Sequence, residues 1–177
     1  MVELLLRAII PPYEDGLQQI MPKNLDEIDH RILEALQADG RISNHDLAER
    51  VGLSPSPCLR RVRQLEDAGV ISGYVALLDP GALGLDVTAF VRVRLDQQGD
   101  RHLAAFETSL VALPEVMECY LMTGESDYQL RVLVHSLAEF EDFLRHKLTR
   151  IPGVAQVTSS FALRPIVYRT DLPVAAS

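Results

Sequence analysis

Residues 43–69, SNHDLAERVGLSPSPCLRRVRQLEDAG, constrain this chain more than any other stretch. Ser43 stands three residues before Asp46, the capping-box spacing, and Leu47, Ala48 and Val51 follow at helical intervals. Gly52-Leu53 then breaks the pattern. Ser54 is placed to cap a second helix, with Pro55 at its first position, where a missing N–H is harmless. Stepped at 100° per residue, this second helix turns Cys58, Val62 and Leu65 to one side. Ser56, Arg60, Arg63 and Gln64 fall on the other side, Pro57 lies in the first turn, and Arg61 sits at the edge. Two capped helices joined by a glycine turn, the second with a basic outer face, predict a helix-turn-helix that enters the DNA major groove. Arginine and glutamine suit guanine and adenine edges, and serine suits phosphate oxygens. The candidate DNA-contacting residues are therefore Ser54, Ser56, Pro57, Arg60, Arg61, Arg63 and Gln64.

The flanks agree. Asp26 is a good N-cap for a helix whose stripe is Ile28, Ile32, Leu33 and Leu36, stopped at Asp39-Gly40. After Gly69, the run Val70-Ile71, Gly73 and Tyr74–Leu78 reads as a short hairpin, the wing of a winged helix-turn-helix. Asp79-Pro80-Gly81 marks a domain boundary.

Beyond it the periodicity changes. Val87–Leu95 alternates as a strand with Arg92 and Arg94 on one face. Leu103, Phe106, Leu110 and Leu113 space as a helix, Val116–Thr123 and Tyr128–Val134 form a hairpin through Gly124-Glu125-Ser126, and Val154–Phe161 makes a last strand. Between these, Leu137, Phe140, Phe143, Leu144, Leu148 and Ile151 give a second helical stripe. The order β-α-β-β-α-β predicts a ferredoxin-like sheet with both helices on one face. An apolar open face would need cover, so a homodimer or a larger closed assembly is expected.

The fold class is thus α+β: a leader or disordered arm over residues 1–20, a winged helix-turn-helix over 21–78, a linker over 79–85, a ferredoxin-like domain over 86–170 and a tail over 171–177. Met21 opens the recognisable pattern and is an alternative start. No run approaches the roughly 20 apolar residues of a membrane span. Cys58 and Cys119 lack CxxC spacing and read as buried reduced thiols of a cytoplasmic protein, and the five histidines form no cluster, so no metal and no cofactor is expected. The net charge of −8 opposes DNA binding by the chain as a whole. Between Ser54 and Leu65, however, there are three arginines and no acid, and the phosphate field acts within about 8 Å at physiological salt.

With these elements in place, the chain resembles the leucine-responsive regulator/asparagine-synthesis regulator (Lrp/AsnC) family of transcription factors. The resemblance rests on residues 25–43, on 47–80 with GLSPSPCLRRVRQLE, on 114–132 with TGESDY, and on PGVAQVTSSF at 152–161. It implies sequence-specific regulation of transcription, recognition of double-stranded DNA at an inverted repeat, and dimers that pair through the sheet and assemble to tetramers or octamers. It also implies a small amino-acid effector held between subunits, and it places the family's glycine-to-aspartate effector motif on Gly124 and Asp127, followed by Tyr128. Turn N–H groups around Gly124 suit a carboxylate and Asp127 an ammonium, with Met122 or residues of a neighbouring subunit meeting the effector side chain; the alternative is that Gly124 only makes the hairpin turn and Asp127 only caps it. Thr158 and Ser160 on the last strand are weaker candidates. Glu125 either adds a second negative charge near the effector or faces water.

Two other classes compete. A ring of outward-facing helix-turn-helix heads would bend DNA with little base selectivity. A small enzyme on the ferredoxin-like half would need a nucleophile beside a base, a metal, or two unlike carboxylates, and the sequence offers none of these; no catalytic residue is expected.

Overall fold

The computed structural model of the protein describes residues 25–174. The expected leader over residues 1–20, the alternative start at Met21 and the end of the tail lie outside that range. The chain divides into two compact units: one runs through Ala76 and takes in the segment from Val167 onward, and the other is Leu77–Ile166.

The first unit is built on helices α1 (Glu27–Ala38), α2 (Asn44–Val51) and α3 (Pro55–Asp67). A full capping box starts α1: Asp26 accepts from the Asp29 N–H at 2.8 Å, and Asp29 accepts from the Asp26 N–H at 3.4 Å. Ser43 caps α2 by accepting from the Asp46 N–H. Gly52 closes α2 in the left-handed region (φ 74°), the conformation that makes the turn between α2 and α3 and that favours glycine. Ile32, Ala35, Leu47, Ala48, Val51, Cys58, Val62 and Leu65 interlock as the core.

Two local expectations are corrected. Ser54 occupies the N-cap position of α3 without a side-chain hydrogen bond. Its usual partner is the N–H of the second or third helical residue, and the third here is Pro57, which has none. The wing segment pairs into no hairpin either: residues 72–79 form no strand. The N–H groups of Val70 and Ile71 both turn back to the Leu65 carbonyl, closing α3 instead of starting a ladder, and the Tyr74 hydroxyl reaches Glu66.

The second unit begins with a 3-10 turn at Gly81–Leu83, inside the expected linker. It continues as β1 (Val87–Leu95), α4 (Asp100–Val111), β2 (Val116–Leu121), β3 (Tyr128–Val134), α5 (Leu137–Asp142) and β4 (Val154–Phe161). The sheet is wholly antiparallel in the order β2-β3-β1-β4, as the split βαβ arrangement demands. Ala89, Val91, Val93 and Leu95 of β1 and Tyr128, Leu130, Val132 and Val134 of β3 face the helices and pack on Phe106, Leu110, Phe140, Phe143 and Leu148.

The second helical stripe is less regular than its sequence suggests. After α5 comes a π turn over Phe143–Lys147 and a 3-10 turn over Leu148–Arg150. Phe143 and Leu148 are five residues apart and both buried, a spacing that a π turn aligns and an α-helix does not. Leu137, the first residue of the expected stripe, is exposed.

The open face of the sheet differs in character from the expectation. It is mixed rather than wholly apolar: Phe90, Arg92 and Arg94 from β1 lie beside Ser160, Thr158 and Gln156 of β4, while Glu118 and Tyr120 of β2 lie beside Arg131 and Gln129 of β3, and Phe90 and Tyr120 are exposed. Arg131 bonds Glu118 at 2.6 Å across the β2–β3 ladder. Alternation in β1 places arginines where a doubly covered sheet would place valines.

Candidate functional sites

The outer face of α3 is laid out largely as its spacing dictates. Cys58, Val62 and Leu65 are buried, which leaves Ser56, Arg60, Arg63 and Gln64 exposed and Pro57 half-buried in the first turn. Ser54 is exposed at the helix start. The start itself is held by Asn44, whose side-chain amide donates to the Pro55 carbonyl at 2.9 Å, fixing α3 against the first turn of α2. Arg60 and Arg63 form no salt bridge within the described residues.

Arg61 departs from the expectation. One of its terminal nitrogens donates to Asp26 at 2.8 Å and to Asp29 at 2.9 Å. Those bonds raise its already high pKa further, Asp29 contributing most. Asp26 is held below the ordinary carboxylate range, by the Asp29 N–H first and by Arg61 next among the stabilising contacts. Position at the edge of the helix explains the difference: an edge side chain reaches the neighbouring helix as easily as it reaches solvent.

The loop between β2 and β3 is the second candidate site. Gly124 takes φ +113° with open space where a Cβ would stand, so glycine is required by backbone conformation and not by crowding. Asp127 is buried, and its carboxylate accepts from the Leu95 N–H and from the Gln98 side-chain amide, each at 2.7 Å. Its own N–H donates to the Val93 carbonyl, and its carbonyl accepts from the Met122 N–H. Asp127 therefore braces the loop against the end of β1, and an ammonium ion would have to compete with Gln98 for it. Tyr128 is fully buried with its hydroxyl on Glu107 at 2.8 Å, packs at a tilt against the Phe106 ring, and has its pKa pushed up chiefly by burial; it is a core residue and lines neither of the depressions beside the loop.

Two adjoining depressions flank the loop on the open side. One, of about 390 Å³, is lined by Arg92, Arg94, Glu125, Ser126, Gln156 and Thr158. The other, of about 470 Å³, is lined by Arg94, Leu95, Asp96, Gln98, Gly124 and Glu125. Of the residues expected at an effector site, Thr158 lines the first depression and Gly124 the second, whereas Met122 and Ser160 are exposed and line neither. Arg92 and Arg94 were not expected as site residues. Their signal lay in the alternation of VTAFVRVRL, which sets both on the open face next to the β2–β3 loop. Two guanidinium groups opposite one carboxylate suit a small zwitterion.

Cys119 is partly buried on β2, and burial, with Glu107 nearby, pushes its thiol up to about 12. Burial also raises Cys58. Neither is an activated nucleophile. Among the described residues no group of three or more His, Cys, Asp and Glu side chains is placed to hold a metal, and no helix is long and apolar enough to cross a membrane.

Comparison with known proteins agrees with both units. Residues 25–72 match the winged helix-turn-helix DNA-binding model, and residues 88–172 match the Lrp/AsnC ligand-binding domain. The chain is 49% identical to the Bkd operon transcriptional regulator of Pseudomonas aeruginosa over 85% of its own length and 98% of that protein. It is also 49% identical to the leucine-responsive regulatory protein of Rhizobium meliloti, over 80% of its length and 91% of that protein. Among solved structures, a transcriptional regulator from Neisseria meningitidis in complex with L-Met is 43% identical with a TM-score of 0.81, covering 85% of this chain and 97% of that one. With its helix-turn-helix unit and its βαββαβ unit each matched separately, the chain belongs to the Lrp/AsnC family of DNA-binding transcriptional regulators.

Proposed function

We propose that α3 reads an inverted-repeat operator through Arg60, Arg63, Gln64 and Ser56, and that an amino acid bound beside the β2–β3 loop modulates that binding. The observation that carries the first part is the exposed, unbridged pair Arg60 and Arg63 on a helix whose opposite face is wholly buried. The second part is supported by the depression at Arg92, Arg94 and Glu125. The L-Met bound to the related Neisseria regulator favours the same class of effector. In this reading Arg92 or Arg94 receives the effector carboxylate and Glu125 its ammonium, with Asp127 holding the loop in shape. The chain acts in the cytoplasm as a homodimer, pairing through the open sheet face, and builds on to tetramers or octamers. The mixed charges of that face, Arg92 and Arg94 against Glu118 and Glu125, suit a two-fold partner copy that offers the opposite sign at each point.

Selection of duplexes from a random library by the purified protein tests the DNA reading. Recovered sites are expected to be two-fold symmetric, with half-sites spaced by whole helical turns. Arg60→Ala is expected to weaken binding to them by about 1–3 kcal/mol. Unchanged affinity and unchanged base preference would count against α3 as the reader. For the effector, isothermal titration with the twenty amino acids is expected to give one or a few ligands, and Arg94→Ala to lose them. Equal binding by that variant would remove the arginine from the site.

A further inference from the structure

Arg61 has the residue type of a DNA contact and the surroundings of a structural one. A single nitrogen bonds two carboxylates at 2.8 and 2.9 Å, and its side chain is 27% exposed. Both acids are already immobilised: Asp26 and Asp29 hold each other through the capping box at the start of α1. Asp29 is moreover buried at 7% exposure, and a buried carboxylate whose partner is removed is strongly unfavourable. The apolar contacts of Cys58, Val62 and Leu65 press α3 into the core, but apolar packing is non-directional and tolerates small rotations of a helix about its own axis. A guanidinium group lies ~8 Å from that axis, so a rotation of ~20° moves it ~3 Å, enough to lose a base contact.

We infer that Arg61, with Asp26 and Asp29, is a positioning clasp that fixes the rotation of α3, so that Arg61 serves DNA recognition by aiming Arg60 and Arg63 instead of touching DNA itself. This rests on α3 being the reading helix. The clasp uses the edge of the helix, where a side chain reaches α1 without crossing the DNA face.

The sign of one substitution separates this role from a direct contact. Asp29→Asn removes a negative charge from a protein that binds a polyanion, so electrostatics alone predicts tighter binding. A positioning clasp predicts weaker binding. The probes are a duplex selected with the full-length wild-type protein and poly(dI-dC), titrated by fluorescence anisotropy over a range of salt. The expected result is about a tenfold loss on the selected duplex for Asp29→Asn and for Arg61→Ala, with no further loss in the double variant. Binding of the aspartate variants to poly(dI-dC) should be no weaker than that of the wild type, with the salt slope unchanged, and Arg61→Lys should restore part of the loss on the selected duplex. Should Asp29→Asn unfold the first unit, Asp26→Asn at the more exposed acid gives the same reading. Unchanged or tighter binding by the aspartate variants overturns the clasp. So does a fall of about one in the salt slope for Arg61→Ala alone, which marks a phosphate contact. Arg60→Ala and Arg63→Ala, run alongside, test the underlying reading: if neither weakens the selected duplex, α3 is not the reader and the clasp falls with it, whereas losses there without a loss for Asp29→Asn sink the clasp alone.

Discussion

The two aspartates at 29 and 127 show how little a residue type says until its partners are known. Both are acids near a proposed binding surface, and both are buried at under a tenth exposure. Asp29 is matched by a cation, Asp127 by two neutral donors, the Leu95 N–H and the Gln98 amide. A charge-assisted bond of this kind is worth about 1.5–3 kcal/mol, and removing the carboxylate also leaves the buried Leu95 N–H unpaired, at about 1–3 kcal/mol, while the exposed Gln98 amide can turn to water. Asp127→Ala is therefore expected to destabilise the second unit by about 2–4 kcal/mol and to free the β2–β3 loop. Asp127→Asn, which keeps an acceptor toward Leu95 but turns an amide toward Gln98, should lie between. Hydrogen exchange at the Leu95 amide checks this: its protection should fall in the order wild type, Asn, Ala. If effector binding also weakens in that order while Arg94 is intact, Asp127 acts by holding the loop. Loss of binding at full loop protection would restore it as a direct contact.

At the scale of elements, local chemistry predicts more than topology does, and α2 and α3 make the contrast. Ser43 and Ser54 stand in equivalent places before the two helices, but only Ser43 makes a cap bond, to the Asp46 N–H; at the matching position after Ser54 stands Pro57, which has no N–H to donate. Ser43→Ala should cost about 1 kcal/mol of stability and Ser54→Ala close to nothing, measured by urea denaturation. A loss for Ser54→Ala confined to DNA affinity would identify it as a phosphate contact. The strands were legible in the sequence because alternation and burial coincide: Val87–Leu95, Tyr128–Val134 and Val154–Phe161 begin and end where the pattern does. What failed to show were features set by distant partners. The π turn answers to the packing of Phe143 and Leu148 under the sheet, and the unpaired segment after α3 reflects Val70 and Ile71 being drawn back to Leu65. The candidate sites divide in the same way. Arg92 and Arg94 were visible as a face but not as a site, since the loop that completes the depression is remote in sequence, and Arg61 could not be told from its neighbours without Asp26 and Asp29.

The whole molecule is threaded in a way the sequence reading missed. The chain leaves the first unit after Ala76 and returns to it at Val167, so the described residues 167–174 group with the helix-turn-helix unit. The attachment is specific. The Gln37 side-chain amide donates to the Leu172 carbonyl at 3.1 Å while its oxygen accepts from the Leu172 N–H at 2.6 Å, a side chain imitating a strand partner, and Val174 packs on the core formed with α1. Two exposed hydrogen bonds and one half-buried valine amount to about 1–2 kcal/mol. For a unit of this size that corresponds to a fall of roughly 4–16 °C in melting temperature when the segment is removed. A chain ending at Ile166 should therefore lose protection first in α1, while amides of the four-stranded sheet exchange as before. Gln37→Ala should reproduce part of the shift, because it breaks both bonds and leaves Val174 in place. Equal melting of the shortened and full chains would show that the segment lies on the first unit without supporting it. A loss spread evenly over both units would instead mean that the return at Val167 braces the sheet as much as the helices.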